Sequence, residues 1–288
     1  MAKDSTDNLA AEFRSRIDDV SDDELRDMAF LLTATETDVV QRLAAVRAGF
    51  TRTWLERLIS EIRSVSLQLE RQLRGIGERY TGRHADVGAD MATEIAERAG
   101  VKNAAIRLGP AIASGTLSEW AAYKGELLTK GITERVRAEI TSALRLGFMT
   151  GKTPYEIMQQ VVKQPYSPLS FGSKIGRAEV IVRTEGGRVA AKAHFERSRD
   201  YEGFNAKVAR DFGREPEAWL KKWLSAQDRR VRPTHVIAHG GPAIPLSEDF
   251  VVGGEACSHP HDPRLSAKEA VNCRCVAITI PPGANAGA

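Results

Sequence analysis

Apolar residues recur at spacings of three or four from the start of the chain, and that rhythm organises its first half. Leu9, Phe13, Ile17 and Val20 mark one stripe, the face that an amphipathic helix buries. Ser21 followed by Glu24 has the form of a capping box, which predicts a break and a fresh helix start there. Val39, Leu43, Val46, Phe50, Trp54, Leu58, Ile62, Val65, Leu69 and Leu73 then hold one face over a long run. Such length needs a partner surface, either a bundle core or an oligomeric contact. Gly75 and Gly77 predict the end of that run, and RYTGRHADVG, residues 79–88, reads as a loop. Further helices are predicted around Ala89–Arg98, around Ser118–Leu128 and on both sides of Gly147–Gly151. Thr153 caps the last of these, with Pro154 at its first position.

QPYSPLSFGSKIG, residues 164–176, is rich in proline, glycine and serine and predicts a domain boundary. After one more helix, about Arg177–Arg199, the pattern changes. PEAWLKKWLS, EDFVV and CVAITI read as short strands, and GANAGA as a frayed tail. The expected architecture is a mainly α first half over residues 1–165, a small α+β domain with long loops and short strands over 166–282, and a flexible tail over 283–288.

Composition sets the class. Apolar residues make up 42% and charged residues 27% of the 288, a globular profile and not that of a disordered chain. No apolar stretch approaches the roughly 18 to 20 residues of a membrane-spanning helix, so no membrane insertion is expected. The opening MAKDSTDNLAAEFRSR lacks the apolar core of a secretion signal, and the expectation is a protein that works in the cytoplasm where it is made. Net charge is +3, too balanced to mark a nucleic-acid binder. Arg71, Arg74, Arg79 and Arg83, and again Arg229, Arg230 and Arg232, form basic tracts that suit either a solvated face or phosphate contact.

The chemistry-bearing residues gather late. HPHDPRLSAKEAVNCRC, residues 259–275, carries two of the three cysteines. On a strand over 273–280, Cys273 and Cys275 project from one face while Val276, Ile278 and Ile280 face a core. A disulfide between residues two apart is strained, and a cytosolic compartment disfavours one to Cys257. Two thiolates suit zinc when imidazole or a third thiolate completes a tetrahedron. Cys257, His259 and His261 share one loop, and RPTHVIAHGG reads as a short helix with His235 and His239 on one face. Beside Cys273 and Cys275, His235 and Cys257 are candidate zinc ligands, with His239, His259 and His261 also in the supply. The spacing matches no paired C-x-x-C knuckle, and reduced cysteines packed in a small core are the plainer alternative. A cysteine nucleophile with His235 or His261 as base requires several loops to converge. Arg183, Thr184 and Glu185 are adjacent on a helix and cannot act as one cluster there; Glu179–Arg183 and Glu185–Arg188 read as surface pairs.

Taken in order, ITSALRLGFMTGKTPYEIMQQV, RAEVIVRTEGGRVAAKA, WLSAQDRRVRPTH, HPHDP and NCRC resemble the Mu F-like phage head morphogenesis family, the minor head proteins, over about residues 130–280. The resemblance implies a minor structural protein of a tailed-phage head, made in the bacterial cytoplasm and placed in the virion near the portal vertex, with no established reaction. It implies the portal protein and the major capsid protein or other head proteins as partners, with self-association and nonspecific contact to phage DNA open. Arg183, Thr184 and Glu185 match the family's helix signature, Asp228, Arg230 and His235 its central one, and Asn272, Cys273 and Cys275 its closing one. Some relatives carry C-x-x-C where this chain has Arg232 and His235, an exchange that suits a ligand at His235. His239 stands where relatives often have the aspartate of an Asp-Gly turn. Two other functions remain beside the structural one: an internal head protein contacting or delivered with DNA, and an ADP-ribosyltransferase-like enzyme using an arginine and a glutamate.

Overall fold

The computed structural model describes residues 3–44, 51–101, 109–153, 156 and 171–283. The helices α1 (Lys3–Ala44), α2 (Arg52–Arg98), α3 (Ser114–Leu128), α4 (Glu134–Met149) and α5 (Phe171–Asp211) come first, with a π-helical turn at Thr129–Thr133. Short elements follow: β1 (Leu220–Leu224), α6 (Pro233–Gly240), β2 (Ile244–Pro245), β3 (Phe250–Val252), β4 (Glu255–Cys257), α7 (Ala267–Ala270) and β5 (Val276–Ile280). The helical first half and the small strand-bearing region after it are as the hydrophobic pattern requires. No described helix is long and apolar enough to cross a membrane.

Two compact units share the chain. One comprises residues 1–21, 80–118 and 183–288, the other residues 22–79 and 119–182. The expected boundary at 165/166, the helix after Pro154 and the tail from 284 lie outside the described residues, as do Val46, Phe50 and the side chain of Leu43. Thr153 and Glu156 exchange the reciprocal bonds of a capping box, 2.7 Å and 3.3 Å.

In the first unit, β1 is the centre of an antiparallel sheet ordered β2-β1-β5, with Trp223 opposite Ala277 and Leu224 opposite Val276. Period-two alternation gives the sheet two faces. Leu224, Val276 and Ile278 pack on Leu9, Phe13, Met91, Ile95 and Ala190 of the long helices. Trp223 and Ala277 face Phe250, Val252, Leu265 and all three cysteines. The β3–β4 hairpin turns on Gly253 and Gly254, φ +61° and +84°, the left-handed pair that a two-residue type I′ turn demands. The second unit is helical and holds Val39, Leu55, Leu58, Ile62, Val136, Ile140 and Leu144 in one core.

Several boundaries differ from the sequence pattern, among them the last long helix, which runs to Asp211 and not to Arg199. No break occurs at Ser21: α1 is continuous, and Ser21 Oγ donates back to the Ile17 carbonyl at 2.9 Å. Glu24 is not a cap either, because its carboxylate lies 2.6 Å from Lys124 Nζ inside the helical unit, with both side chains buried. Likewise α2 does not stop at Gly75 or loop through residues 79–88; it runs to Arg98. Gly88 explains part of that stretch, because a Cβ there stands 2.1 Å from the Ala190 carbonyl oxygen of α5. The glycine serves close helix packing and not a turn. Finally, β5 starts at Val276, so Cys273 and Cys275 precede the strand.

Candidate metal centre

Local structure brings the closing tract to the centre. Pro233 opens α6 and places His235 inward, buried. Asn272 takes a left-handed conformation, φ +53°, and its N–H donates to Thr184 Oγ1 at 3.1 Å. That turn is how Thr184 of α5 fixes the approach of Cys273. Its neighbours do other work. Arg183 bonds Asp18 at 3.0 Å, and Glu185 is buried and bound by Arg188, whose Nε also donates to the His261 carbonyl. The three adjacent residues thus serve three separate contacts. Asp228 is held both from within its own loop and from the closing tract. Arg274 grips both of its carboxylate oxygens, and the Arg230 amide donates at 2.9 Å. Arg274, then the Arg230 amide, hold this carboxyl well below its usual range. Arg232 instead donates to the Val271 carbonyl.

His235, Cys273 and Cys275 converge, with their donor atoms within 4.8 Å of one another and all three buried. Nδ1 of His235 lies 3.3 Å from Cys275 Sγ and 3.6 Å from Cys273 Sγ. Donors about 2.1 and 2.3 Å from a shared tetrahedral zinc stand about 3.6 Å apart. The two imidazole–thiol distances are thus close to those of a tetrahedral zinc site. Nε2 of His235 faces Glu269 Oε2 at 3.0 Å, and Thr234 Oγ1 donates to the same oxygen at 2.8 Å. A carboxylate on the far nitrogen keeps that nitrogen protonated and leaves Nδ1 with a lone pair toward the thiols. Gly253 makes room for the carboxylate, since a Cβ there stands 2.6 Å from Glu269 Oε1. Cys273 is held well below the usual thiol value, first by the Cys275 thiol that bonds it, while that bond and burial raise Cys275. The pair thus gives up one proton readily and the second reluctantly. A dication compensates both charges.

The other candidates stand elsewhere. Cys257 ends β4 opposite Phe250, fully buried, and burial pushes its thiol up to about 12. It shares the core with the pair but is not among the three donors that converge. His239 Nδ1 accepts the Ser225 amide at 3.2 Å. His259 bonds the Pro260 carbonyl at 2.9 Å, and its burial lowers the imidazole to about 4. His261, buried at φ +63°, shares with Cys273 and Cys275 the lining of a cavity of about 30 Å³. That volume holds about one water. Sequence reasoning missed Glu269, whose spacing from Ser266 reads as another capping box; no side-chain cap bond forms there.

Residues 138–278 match the family model described as phage Mu protein F like protein. A stretch of 68 residues is 35% identical to the uncharacterized protein YqbB of Bacillus subtilis strain 168, covering 23% of this chain and 22% of that one. The chain thus spans about a fifth of that relative's length. No solved structure matches.

Proposed function

We propose that this chain, whose residues 138–278 match the phage Mu protein F-like model, is a non-catalytic minor head protein at or near the portal vertex. Its partners in this reading are the portal protein and neighbouring head proteins, and it resides in the virion. A zinc ion held by His235, Cys273 and Cys275 pins α6 to the approach of β5. The observation that carries the clasp is the far side of His235: Glu269 on Nε2 aims Nδ1 at two thiols. Zinc is the dication that thiolate and imidazole together favour, and bound there it supplies cross-linking to a region with two small sheets.

The same residues also have the order of a thiol–imidazole–carboxylate relay. Enclosure supports the structural reading instead. Cys273 and Cys275 are 4% and 3% exposed, which disfavours attack on a substrate from solvent. Glu185 is bound by Arg188 and buried, which disfavours an ADP-ribosyl transfer centred on it.

Purified heads test the assignment. The chain is expected in assembled particles and in cross-links to portal subunits. Its absence from particles, or NAD turnover abolished by Glu185→Ala, contradicts the reading.

A further inference from the structure

The helical unit has a second face with a composition of its own. Between α2 and α4 lies a groove of about 650 Å³. Its rim carries Arg63 from α2 and Arg137 and Arg145 from α4. Its floor is small, with Ala138, Thr141 and Ser142 leaving the backbone of α4 open to close approach. Leu146 and Met149 continue the rim at 62% and 81% exposure. This is the face of α4 beside the one that Val136, Ile140 and Leu144 bury in the core.

Several arginines of the unit are paired within their own helix. Arg42, Arg57, Arg74 and Arg135 each meet a carboxylate four residues away on their own helix. Among the described residues, no carboxylate partner is found for Arg63, Arg137 or Arg145. Arg137 and Arg145 lie two turns apart on one face, with Thr141 between them. Unpaired guanidinium groups flanking a small-residue floor, with exposed leucine and methionine alongside, complement a helix with both carboxylates and apolar side chains. Phosphates alone leave the leucine and methionine without a partner.

We propose that this groove docks an acidic amphipathic helix of a neighbouring head protein. Its carboxylates pair with Arg63, Arg137 and Arg145, and its apolar side chains cover Leu146 and Met149. The surface is separate from the metal centre and needs no metal for its function.

The full chain is titrated by fluorescence anisotropy with three probes. These are a synthetic helix of about 20 residues bearing glutamates and leucines on one face, a scrambled peptide of the same composition, and a DNA duplex of about 20 base pairs. The amphipathic helix is expected to bind at least about tenfold tighter than the scrambled peptide, and R137E/R145E to lose about tenfold of that affinity with melting temperature unchanged. Thr141→Trp, which fills the floor, is expected to have the same effect and serves if the double variant does not fold. Equal binding of the two peptides overturns the proposal. So does tight duplex binding that R137E/R145E abolishes, or a dimer of the chain that either variant dissociates.

Discussion

Nε2 of His235 and Oε2 of Glu269 are 3.0 Å apart, with both side chains no more than 2% exposed. Such a bond sets which nitrogen of the ring can take a metal, and partners of this kind are worth about 10- to 100-fold in metal affinity. Glu269→Gln keeps the shape but lets the amide donate, favouring the wrong tautomer. Zinc affinity measured by competition with a chromophoric chelator is expected to fall by about that factor. An unchanged affinity contradicts the role given to Glu269.

Cysteine substitutions separate ligand from filler. Cys273→Ser and Cys275→Ser are expected to lower the melting temperature of metal-loaded protein and to leave chelator-treated protein much less affected. Cys257→Ala leaves a small void and costs about 1 kcal/mol with or without metal. Equal losses for all three variants, insensitive to chelator, return the thiols to the status of ordinary core residues.

Much of this region is legible in the sequence. Alternation in CVAITI gives the two faces of β5, and the adjacency of Arg183, Thr184 and Glu185 excludes a shared site. Long-range carboxylates are not legible. Ser21/Glu24 and Ser266/Glu269 both have capping-box spacing, yet each glutamate crosses to a distant cation or imidazole, Lys124 in one case and His235 in the other. Spacing reports local geometry, and burial of a charge is decided by partners far along the chain. The glycines misled for the same reason: Gly88 is read as a turn, although the Ala190 backbone packed against it determines its use.

The Lys124–Glu24 pair, 2% and 0% exposed, gives a test in the helical unit. Removing one partner strands a buried charge and costs about 3 to 5 kcal/mol. Lys124→Met is expected to destabilise by about that much in urea unfolding, and Lys124→Met with Glu24→Leu by much less. Additive losses contradict a coupled buried pair.

Gly88→Ala is expected to separate α2 from α5 locally, because the new Cβ meets a carbonyl oxygen that cannot move independently of its helix. A loss of about 1 to 3 kcal/mol is expected. Stabilisation, the usual result of replacing a helical glycine with alanine, contradicts the packing.

Acid sensitivity follows from His194, which is buried beside Phe13 and Thr279 and whose pKa burial lowers to about 4. The unfolded chain binds this proton near pH 6.5 and the folded chain only near 4. Stability is therefore complete above about pH 6.5 and declines as pH falls toward 4. His259, also lowered to about 4 mainly by burial, acts with the same sign. In chelator-treated protein, urea unfolding is expected to show roughly 2 to 3 kcal/mol less stability per buried histidine at the acid end of that window. A flat profile between about pH 7 and pH 5 contradicts neutral burial.

The metal content of the full chain, purified without chelator and measured by elemental analysis, tests the clasp most directly. One zinc per chain is expected, and it should fall well below that in His235→Ala and in the Cys273→Ser/Cys275→Ser double variant. A content far below one zinc in the unaltered chain, or undiminished zinc in both variants, contradicts it.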